Sequence, residues 1–420
     1  MSVHLSKKTV IQVCHEEANI IGHLCYAACK LWNICNYERI HYKELPLEQY
    51  PDWYYQKSHH KDDLWFKSLP SQTAQEVCKQ LDKAWKSFYR LCKTGGIENP
   101  RPPRFKQEPM VVTYMQNAIV HVEGSKMVRL ALPKRLKEYM SSAYGVCADY
   151  LYLENQIFQN TDIIKQIKIY PPDAKNECGI IVVYEVPDVE TKPENGNTLS
   201  IDLGLHNLLT CYDSCGSSFI LGRRYLSICH GYDKKIATMQ GQWAKCQTAK
   251  GVRYPKPSRH LLRMYQKKKN AVRDYLHKVT KYLAEYCKEH EIARVVIGDI
   301  TNIRKNNNQG KIINQKLHSL PYRRICHLLE YKLKQYGILL VKQNEAYSSQ
   351  CSPTAPEVSK EYAVKANRKQ RGLYLDRRQL YNADAVGAFN IMRKYYAVSG
   401  IEKKLPVSGL DEVKIIKVAV

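Results

Sequence analysis

The chain has no run of about 18 or more apolar residues, which excludes a membrane-spanning helix. Its opening, MSVHLSKKTV, lacks the apolar core of a secretory signal. Together these absences predict a soluble, intracellular protein with no membrane partner: cytoplasmic and nucleoid-associated in a prokaryote, nuclear in a eukaryote. Acid is scarce as well, with 40 Asp and Glu against 65 Lys and Arg and a net charge of +25. So large an excess says little about fold, but it favours polyanionic partners, nucleic acid first among them. There is no internal repeat and no low-complexity tract. Cysteine is plentiful, at 15, yet no CxxC pair occurs anywhere. Most cysteines sit in apolar stretches such as HLCYAACKLWNIC (23–35), where they read as small core residues in a reducing compartment. A Cys-rich zinc module is therefore not expected.

Residues 2–13 alternate partly, as a strand does. The stripe Ile20, Leu24, Ala27, Ala28, Leu31, Ile34 predicts a helix over 16–41. A second helix is better marked: Pro70 and Ser71 start it, Ala74, Val77, Cys78, Leu81, Ala84, Trp85, Phe88, Leu91 and Cys92 recur at helical spacing, and Gly95 and Gly96 end it. Core packing explains Trp85 and Phe88 better than base stacking does. DWYYQKSHHKDDLWF (52–66), between the two helices, reads as loop or short helix.

NPRPPRFKQE (99–108) is too rich in proline for a helix or a central strand. Its basic residues Arg101, Arg104 and Lys106 flank Phe105, a combination suited to a phosphate backbone plus one stacked base, and equally to a linker. Residues 110–190 read as strands and turns (VVTYM, AIVHV, MVRLAL, IIKQIKIY, GIIVVYEV), a small β-barrel or sheet. PDVETKPENGN (187–197) is a linker and marks the main domain boundary.

Beyond it comes TLSIDLGLHNLLTCY, a strand with an acid inside, and then a partner strand, GSSFILG. Residues 259–290 form a long helical stretch loaded with Lys and Arg, which suits a solvated face and RNA contact about equally. A strand at 293–298, a helix around 318–336, the strand GILLVKQNE, a basic loop and the helix of YNADAVGAFNIMRKYY complete the order. Strand, hairpin, helix, strand, helix, strand is an α/β pattern that fits an RNase H-like domain.

A nuclease of that fold needs two or three carboxylates around two Mg²⁺ ions roughly 3.5–4 Å apart, one activating water and one steadying the leaving oxygen. Without metal such carboxylates repel one another, and at least one keeps a proton. Asp202 in SIDLGLHN is an acid in a central apolar strand, with Gly204 bending the backbone after it. Asp384 in NADAVGAFNI lies in the first turn of a helix whose small neighbours Ala383, Gly387 and Ala388 allow close packing on a sheet. Taken alone, Asp384 is explained as well by the positive end of the helix dipole.

Taken together, IDLGLHNLLT, LPSQTAQEVCKQLDKAWKSF, PPRFK and NADAVGAFNI resemble the TnpB proteins of bacterial insertion sequences, relatives of the type V CRISPR effectors and the eukaryotic Fanzor nucleases. The resemblance covers nearly the whole chain. It implies a transposon-associated, Mg²⁺-dependent RNA-guided DNA endonuclease, with guide RNA and target double-stranded DNA bearing a short flanking motif as partners. It also implies a wedge β-barrel with a helical recognition insertion, followed by a RuvC-type nuclease domain. On this chain, residues 1–13 would be the first barrel strand, 14–98 the helical insertion, 99–190 the rest of the barrel and 196–420 the nuclease domain. The family's first and last catalytic aspartates match Asp202 and Asp384.

The chain departs from the family twice. The usual middle glutamate falls on Gly298 of VVIGDI, with Asp299 as its neighbour. Adjacent side chains of a strand point to opposite faces, so Asp299 is a poor substitute. Glu345, at the end of LLVKQNE, lies where several relatives, Fanzors among them, carry a glutamate instead. Neighbouring parallel strands lie about 4.8 Å apart, so a Glu on one can reach metal intended for the other. Glu345 is the favoured second ligand, with Asp299 left as a supporting or turn residue, or a substitute. Second, the span between Glu345 and Asp384 has one cysteine, Cys351, and no histidine, so no structural Zn²⁺ is expected there. Its insertion, about 350–381, carries Lys360, Lys365, Arg368, Lys369, Arg371, Arg377 and Arg378, suited to guiding single-stranded DNA. The alternative reading is a nuclease-inactive, RNA-guided DNA-binding repressor, for which Gly298 would be the lost acid.

Overall fold

A computed structural model of the chain describes residues 2–95, 97–159, 161, 163–301, 320–368, 370 and 372–419. Two compact units, Met1–Asp188 and Val189–Val420, make up the chain.

In the first unit, β1 (Ser2–Gln12) pairs antiparallel along its length with β7 (Glu177–Pro187), so the unit's first and last strands are neighbours. Four helices follow β1: α1 (His15–Ile40), α2 (Trp53–His59), α3 (Leu64–Lys67) and α4 (Ser71–Thr94). Cys14 and Glu17 close a reciprocal cap at the start of α1, which satisfies two otherwise orphaned N–H groups. Gly95, in the left-handed region at φ 62°, ends α4. Next come β2 (Val112–Met115), β3 (Ile119–His121), β4 (Met127–Ala131), α5 (Lys134–Tyr144), β5 (Tyr150–Glu154), α6 (Gln156–Gln159) and β6 (Ile163–Ile169). The β-rich part consists of two sheets, ordered β1-β7-β6-β2 and β3-β4-β5. Their inner faces share one core with the helices, through Leu24, Leu31, Leu81, Tyr114, Leu130, Ile167 and Ile180. Trp85 belongs to that core, its Nε1 donating to Asn36 Oδ1 at 2.9 Å.

The reading of 110–190 as strands and turns is corrected by α5. Pro133 precedes it, Gly145 ends it at φ 67°, and Leu136 and Met140, one turn apart, are its buried residues. A helix this short has only two core positions, too few for a visible stripe.

Charge is buried between α1, α2 and α4. Arg39 pairs with Asp82 at 3.0 Å and donates from Nε to Gln56 Oε1 at 3.0 Å. Beside it, buried His60 lies 3.0 Å from Glu38 Oε1 and 2.6 Å from Asp63 Oδ2. Burial alone would lower the His60 pKa, but the two carboxylates outweigh it and raise the value to about 9. A raised histidine stabilises the fold fully below its unfolded value of about 6.5, and the contribution is lost as pH rises through about 9. Melting at pH 6 and pH 9 should therefore show a loss of up to about 3 kcal/mol that His60→Gln abolishes. An unchanged pH slope in that variant would exclude His60 as the cause.

The second unit is built on a six-stranded sheet ordered β12-β11-β8-β9-β10-β15. Its elements are β8 (Thr198–Asp202), β9 (Leu209–Asp213), β10 (Ser218–Leu221), α7 (Arg224–Thr248), α8 (Arg259–Glu289), β11 (Arg294–Asp299), α9 (Tyr322–Lys334), β12 (Leu339–Asn344), β13 (Leu373–Asp376), β14 (Gln379–Asn382), α10 (Ala383–Ser399) and β15 (Lys414–Ile415). β8, β9 and β10 form an antiparallel meander, while β11 runs parallel to β8 and β12 parallel to β11. Helices cover both faces. Leu199, Ile201, Val295 and Ile297 pack towards α8 and α9, and Tyr212 and Val296 towards α10. A central strand covered on both sides explains the unbroken apolar run of β11, and β8 between its neighbours is likewise buried through Ile201. This is the mixed α/β architecture expected from the sequence. In α8, Leu261, Tyr275, Leu276, Val279 and Leu283 face the core, and Arg263, Lys267, Lys269 and Arg273 form an exposed basic face. Among the described residues no helix is long and apolar enough to cross a membrane.

Candidate functional site

Because β8, β11 and β12 run parallel, their carboxyl ends lie on one edge of the sheet. Asp202 is the last residue of β8, Asp299 the last of β11, and Glu345 follows β12 directly. In the β11–β12 register Gly298 pairs with Gln343 and Asp299 with Asn344. Glu345, two residues after Gln343, thus shares the face of Gly298, and Asp299 points to the other. The side chains bear this out. A Cβ built on Gly298 would collide with Glu345 Oε2 and lie 3.1 Å from Ile391 Cδ1. The space at 298 is filled by the glutamate that arrives from the next strand.

Helix α10 closes the site. Asn382 caps it, its Oδ1 accepting from the amides of Asp384 and Ala385 at 3.0 and 3.1 Å. Asp384, Gly387 and Ile391 recur at three- and four-residue spacing on one stripe, which faces the strand ends. A Cβ at Gly387 would stand 2.8 Å from Asp202 Oδ2, so glycine is what lets the helix press against this carboxylate. Ser200 Oγ donates to Ala388 O at 2.7 Å, next to Gly387, and fixes the contact.

Asp202 senses both of the other acids. Desolvation raises the Asp202 pKa well above the usual carboxylate range, and the charges of Glu345 and Asp384 push it further; the Arg368 cation and the Leu203 amide pull it back. Burial raises Glu345 to about 7, helped by the charge of Asp299 and opposed by Lys394. Its Oε2 is buried with no hydrogen-bond partner. Asp384 is engaged on both oxygens: Asn207 Nδ2 donates to Oδ2 at 2.8 Å, and Arg368 Nη2 lies 3.4 Å from Oδ1. Asp202 and Asp384 line a cleft of about 650 Å³, together with His206, Arg223 and Arg368.

The expected meeting of three acids at one point needs a correction of degree. Among the described residues, no three Asp, Glu, His or Cys side chains are gathered tightly enough to hold an ion. Arg368 pairs with Asp384 at 3.4 Å. Asp299, which is exposed, is bound into its own turn. It accepts from Thr301 N at 2.9 Å, from Thr301 Oγ1, and from Tyr322 OH at 3.1 Å, and these hydrogen bonds, that of Thr301 Oγ1 first, lower its pKa.

Segment 350–381 is held to α10 by main-chain contacts. Buried Asn390 donates to Ser348 O and Cys351 O, both at 2.8 Å, and Arg393 Nη1 donates to Ser352 O at 3.2 Å. The buried Cys351 thiol donates to Ser359 O at 3.1 Å. Of the basic residues expected here to bind nucleic acid, Arg368 faces the acid cleft, while Lys369 and Arg371 lie outside the described residues. In the first unit, Arg101, Arg104, Phe105 and Lys106 are all exposed. Their main chain is pinned to α1: Asn33 Nδ2 donates to Lys106 O at 2.9 Å, Asn36 Nδ2 to Pro103 O at 2.9 Å, and Trp32 Nε1 to Arg104 O at 3.3 Å. Sequence reading missed Asn207 and Arg223. Asn207 carried a signal, five residues after Asp202 in the same loop, whose turn is closed by Gly204 N donating to Asn207 O at 3.1 Å.

Comparison with known proteins adds three findings. The OrfB_IS605 family, described as "Probable transposase", matches residues 181–304, and the "Cas12f1-like, TNB domain" family matches residues 322–391. The chain is similar to TnpB-like protein ORF457 of Acidianus two-tailed virus, at 22% identity over 91% of this chain and 84% of that one. It is also similar to the "Putative RNA-guided DNA endonuclease InsQ" of Escherichia coli K12, at 24% identity over 85% of this chain and 82% of that one. Its fold matches that of the protein in the Cas12f1–sgRNA–target DNA complex, with TM-score 0.57 and 14% identity over 90% of this chain and 83% of that one. By these family matches, relatives and fold, the chain is a TnpB-like relative of the type V effectors.

Proposed function

We propose that the chain is a transposon-associated, RNA-guided DNA endonuclease, its second unit a RuvC-type nuclease domain and its first a wedge domain carrying a helical recognition insertion. One observation carries the reading: Asp202 and Glu345 end parallel strands under the stripe of α10 that bears Asp384, with Gly298 and Gly387 making room for the carboxylates. The meander followed by two parallel strands, β10-β9-β8-β11-β12, supports the RNase H-like assignment. Guide RNA and a target DNA with a short flanking motif are the proposed partners, with base pairing carrying most of the sequence choice. Such a chain would act where DNA is, in a nucleoid or a nucleus.

The donor set suits Mg²⁺. It offers hard carboxylate oxygens, one of them, Glu345 Oε2, buried without a partner, and an acidic pair whose repulsion a cation relieves. Asp202, Glu345 and Asp384 would hold it, with Asp384 giving up Arg368. Bound there, Mg²⁺ supplies an activated water and a stabilised leaving oxygen. The chain's own groups do the rest. Gly387 keeps Asp202 seated, Asn207 orients Asp384, and released Arg368 is free to meet a phosphate. No structural Zn²⁺ is proposed, since Cys351 stands alone in its segment.

Gly298 favours the repressor reading, and the Glu345 carboxylate against it speaks for the nuclease. One experiment separates them. Chain purified with its RNA, that RNA sequenced, is given matching target DNA with Mg²⁺ or with a chelator. A bound transcript with a variable end and Mg²⁺-dependent cleavage is the expected result. Target binding without cleavage would establish the repressor, and heterogeneous bulk RNA would remove guided targeting altogether.

A further inference from the structure

We propose that a cleft in the first unit, on one face of α1, takes an unstacked base from single-stranded nucleic acid. The cleft measures about 960 Å³, and its walls come from α1, α3, α5 and the turn at Pro172, Asp173 and Asn176. Aromatic rings stand on two sides. Tyr26 and Trp65 meet edge to face with centroids 5.5 Å apart, and His23 meets Tyr139 likewise at 5.0 Å. Tyr26 and Tyr139 remain 42% and 46% exposed, which leaves ring surface available to a ligand.

Gly22 leaves space for such a ligand. It lies in the interior of α1 and lines the cleft. Glycine there weakens a helix relative to alanine, so a reason is needed. At Gly298 and Gly387 the reason is visible, because a Cβ would strike a carboxylate of the same chain; at Gly22 a Cβ meets nothing within 4 Å. The folded chain itself therefore does not require the missing side chain. Gly231 and Gly241 inside α7 show the same open space, so at Gly22 the bare turn of α1 leaves room for a flat group without demanding one.

The chemistry of the walls favours a base. Planar rings on two sides suit a planar ligand. Asn19 and Asn176, whose side chains have no hydrogen-bond partners among the described residues, each offer a donor and an acceptor of the kind a base edge needs. Arg135 supplies a cation for the adjoining phosphate, on a wall that also carries Glu138 and Asp173. Burial lowers the His23 pKa, and its Nε2 lies 3.1 Å from Tyr144 OH, so it presents a neutral ring held in place. Stacking between rings on two sides exposes both faces of a base, which an unpaired strand offers.

This inference rests on the nucleic-acid partners of the proposed function, but not on cleavage. The test uses the full chain, freed of bound RNA, and short single strands of RNA or DNA carrying one 2-aminopurine, whose fluorescence falls on stacking. Quenching by the unaltered chain is expected, with RNA or DNA identified by which strand quenches. Tyr139→Ala should weaken binding about tenfold. Gly22→Leu should remove the quenching. Gly22→Ala should raise the melting temperature of the free chain by about 2–4 °C, which shows the site has not been lost through unfolding, while weakening the quench. Strands that bind and quench equally in all three variants would overturn the cleft and leave the proposed function standing. A chain that binds neither strand would count against the nucleic-acid reading as a whole.

Discussion

Asp202→Asn should lower cleavage of a guided target by about 10³-fold or more, with guide RNA and target DNA bound as tightly as before. Asparagine keeps the shape that fits against Gly387 and can still accept from the Leu203 amide, but it removes the charge that an ion needs. The same change should leave the ion-free chain at least as stable as before. The Asp202 pKa is raised, not lowered, so its ionised form is a burden above the ordinary carboxylate range, and a neutral side chain lifts it. Loss of activity with unchanged or higher melting temperature is the pattern of a site whose charge serves chemistry at the expense of stability. Gel-shift binding, cleavage time courses and thermal melts on one preparation decide the matter. Cleavage within a few-fold of the unaltered chain would end the assignment of Asp202.

The second large effect separates Glu345 from Asp299. Glu345→Gln should reduce cleavage by about 10²-fold or more, because the oxygen that lies buried and unpartnered against Gly298 would no longer carry charge. Asp299→Ala should leave cleavage within about threefold and instead cost about 1–2 kcal/mol of stability, through its lost bonds to Thr301 and Tyr322. The split between a kinetic and a thermal phenotype is the observation to make. If the two variants exchange phenotypes, Asp299 is the ligand and the register argument at Gly298 fails.

The helices and strands most legible in the sequence are those with punctuation and length. α4 has Pro70 before it, Gly95 after it and a long apolar stripe, and the strand end at Asp299 follows from the run Val295, Val296, Ile297. α5 and α7 escape for opposite reasons. α5 has too few buried positions to show a period, while α7, 25 residues long, buries only Tyr225, Leu226, Cys229 and Ile236, near its start. In the candidate site, a strand-terminal acid and a helix with small residues are local features, readable without coordinates. The grip of Asn207 and Arg368 on Asp384 is not, because it joins residues 177 and 16 apart through loops whose paths no periodicity encodes. That Glu345 occupies the very space left by Gly298 required the register of β11 and β12, which single-strand patterning does not fix.

The basic segment 99–108 and the start of the segment 350–381 are gripped through peptide carbonyls, by Asn33, Asn36 and Trp32 in one case and by Asn390 and Arg393 in the other. Holding of this kind is indifferent to the exposed side chains that the gripped stretch carries. A lineage can therefore exchange the outward side chains of these stretches one at a time, sampling new affinities and specificities without passing through an unfolded ancestor. A finger held by four thiolates has no such freedom, since losing any one of them undoes the whole.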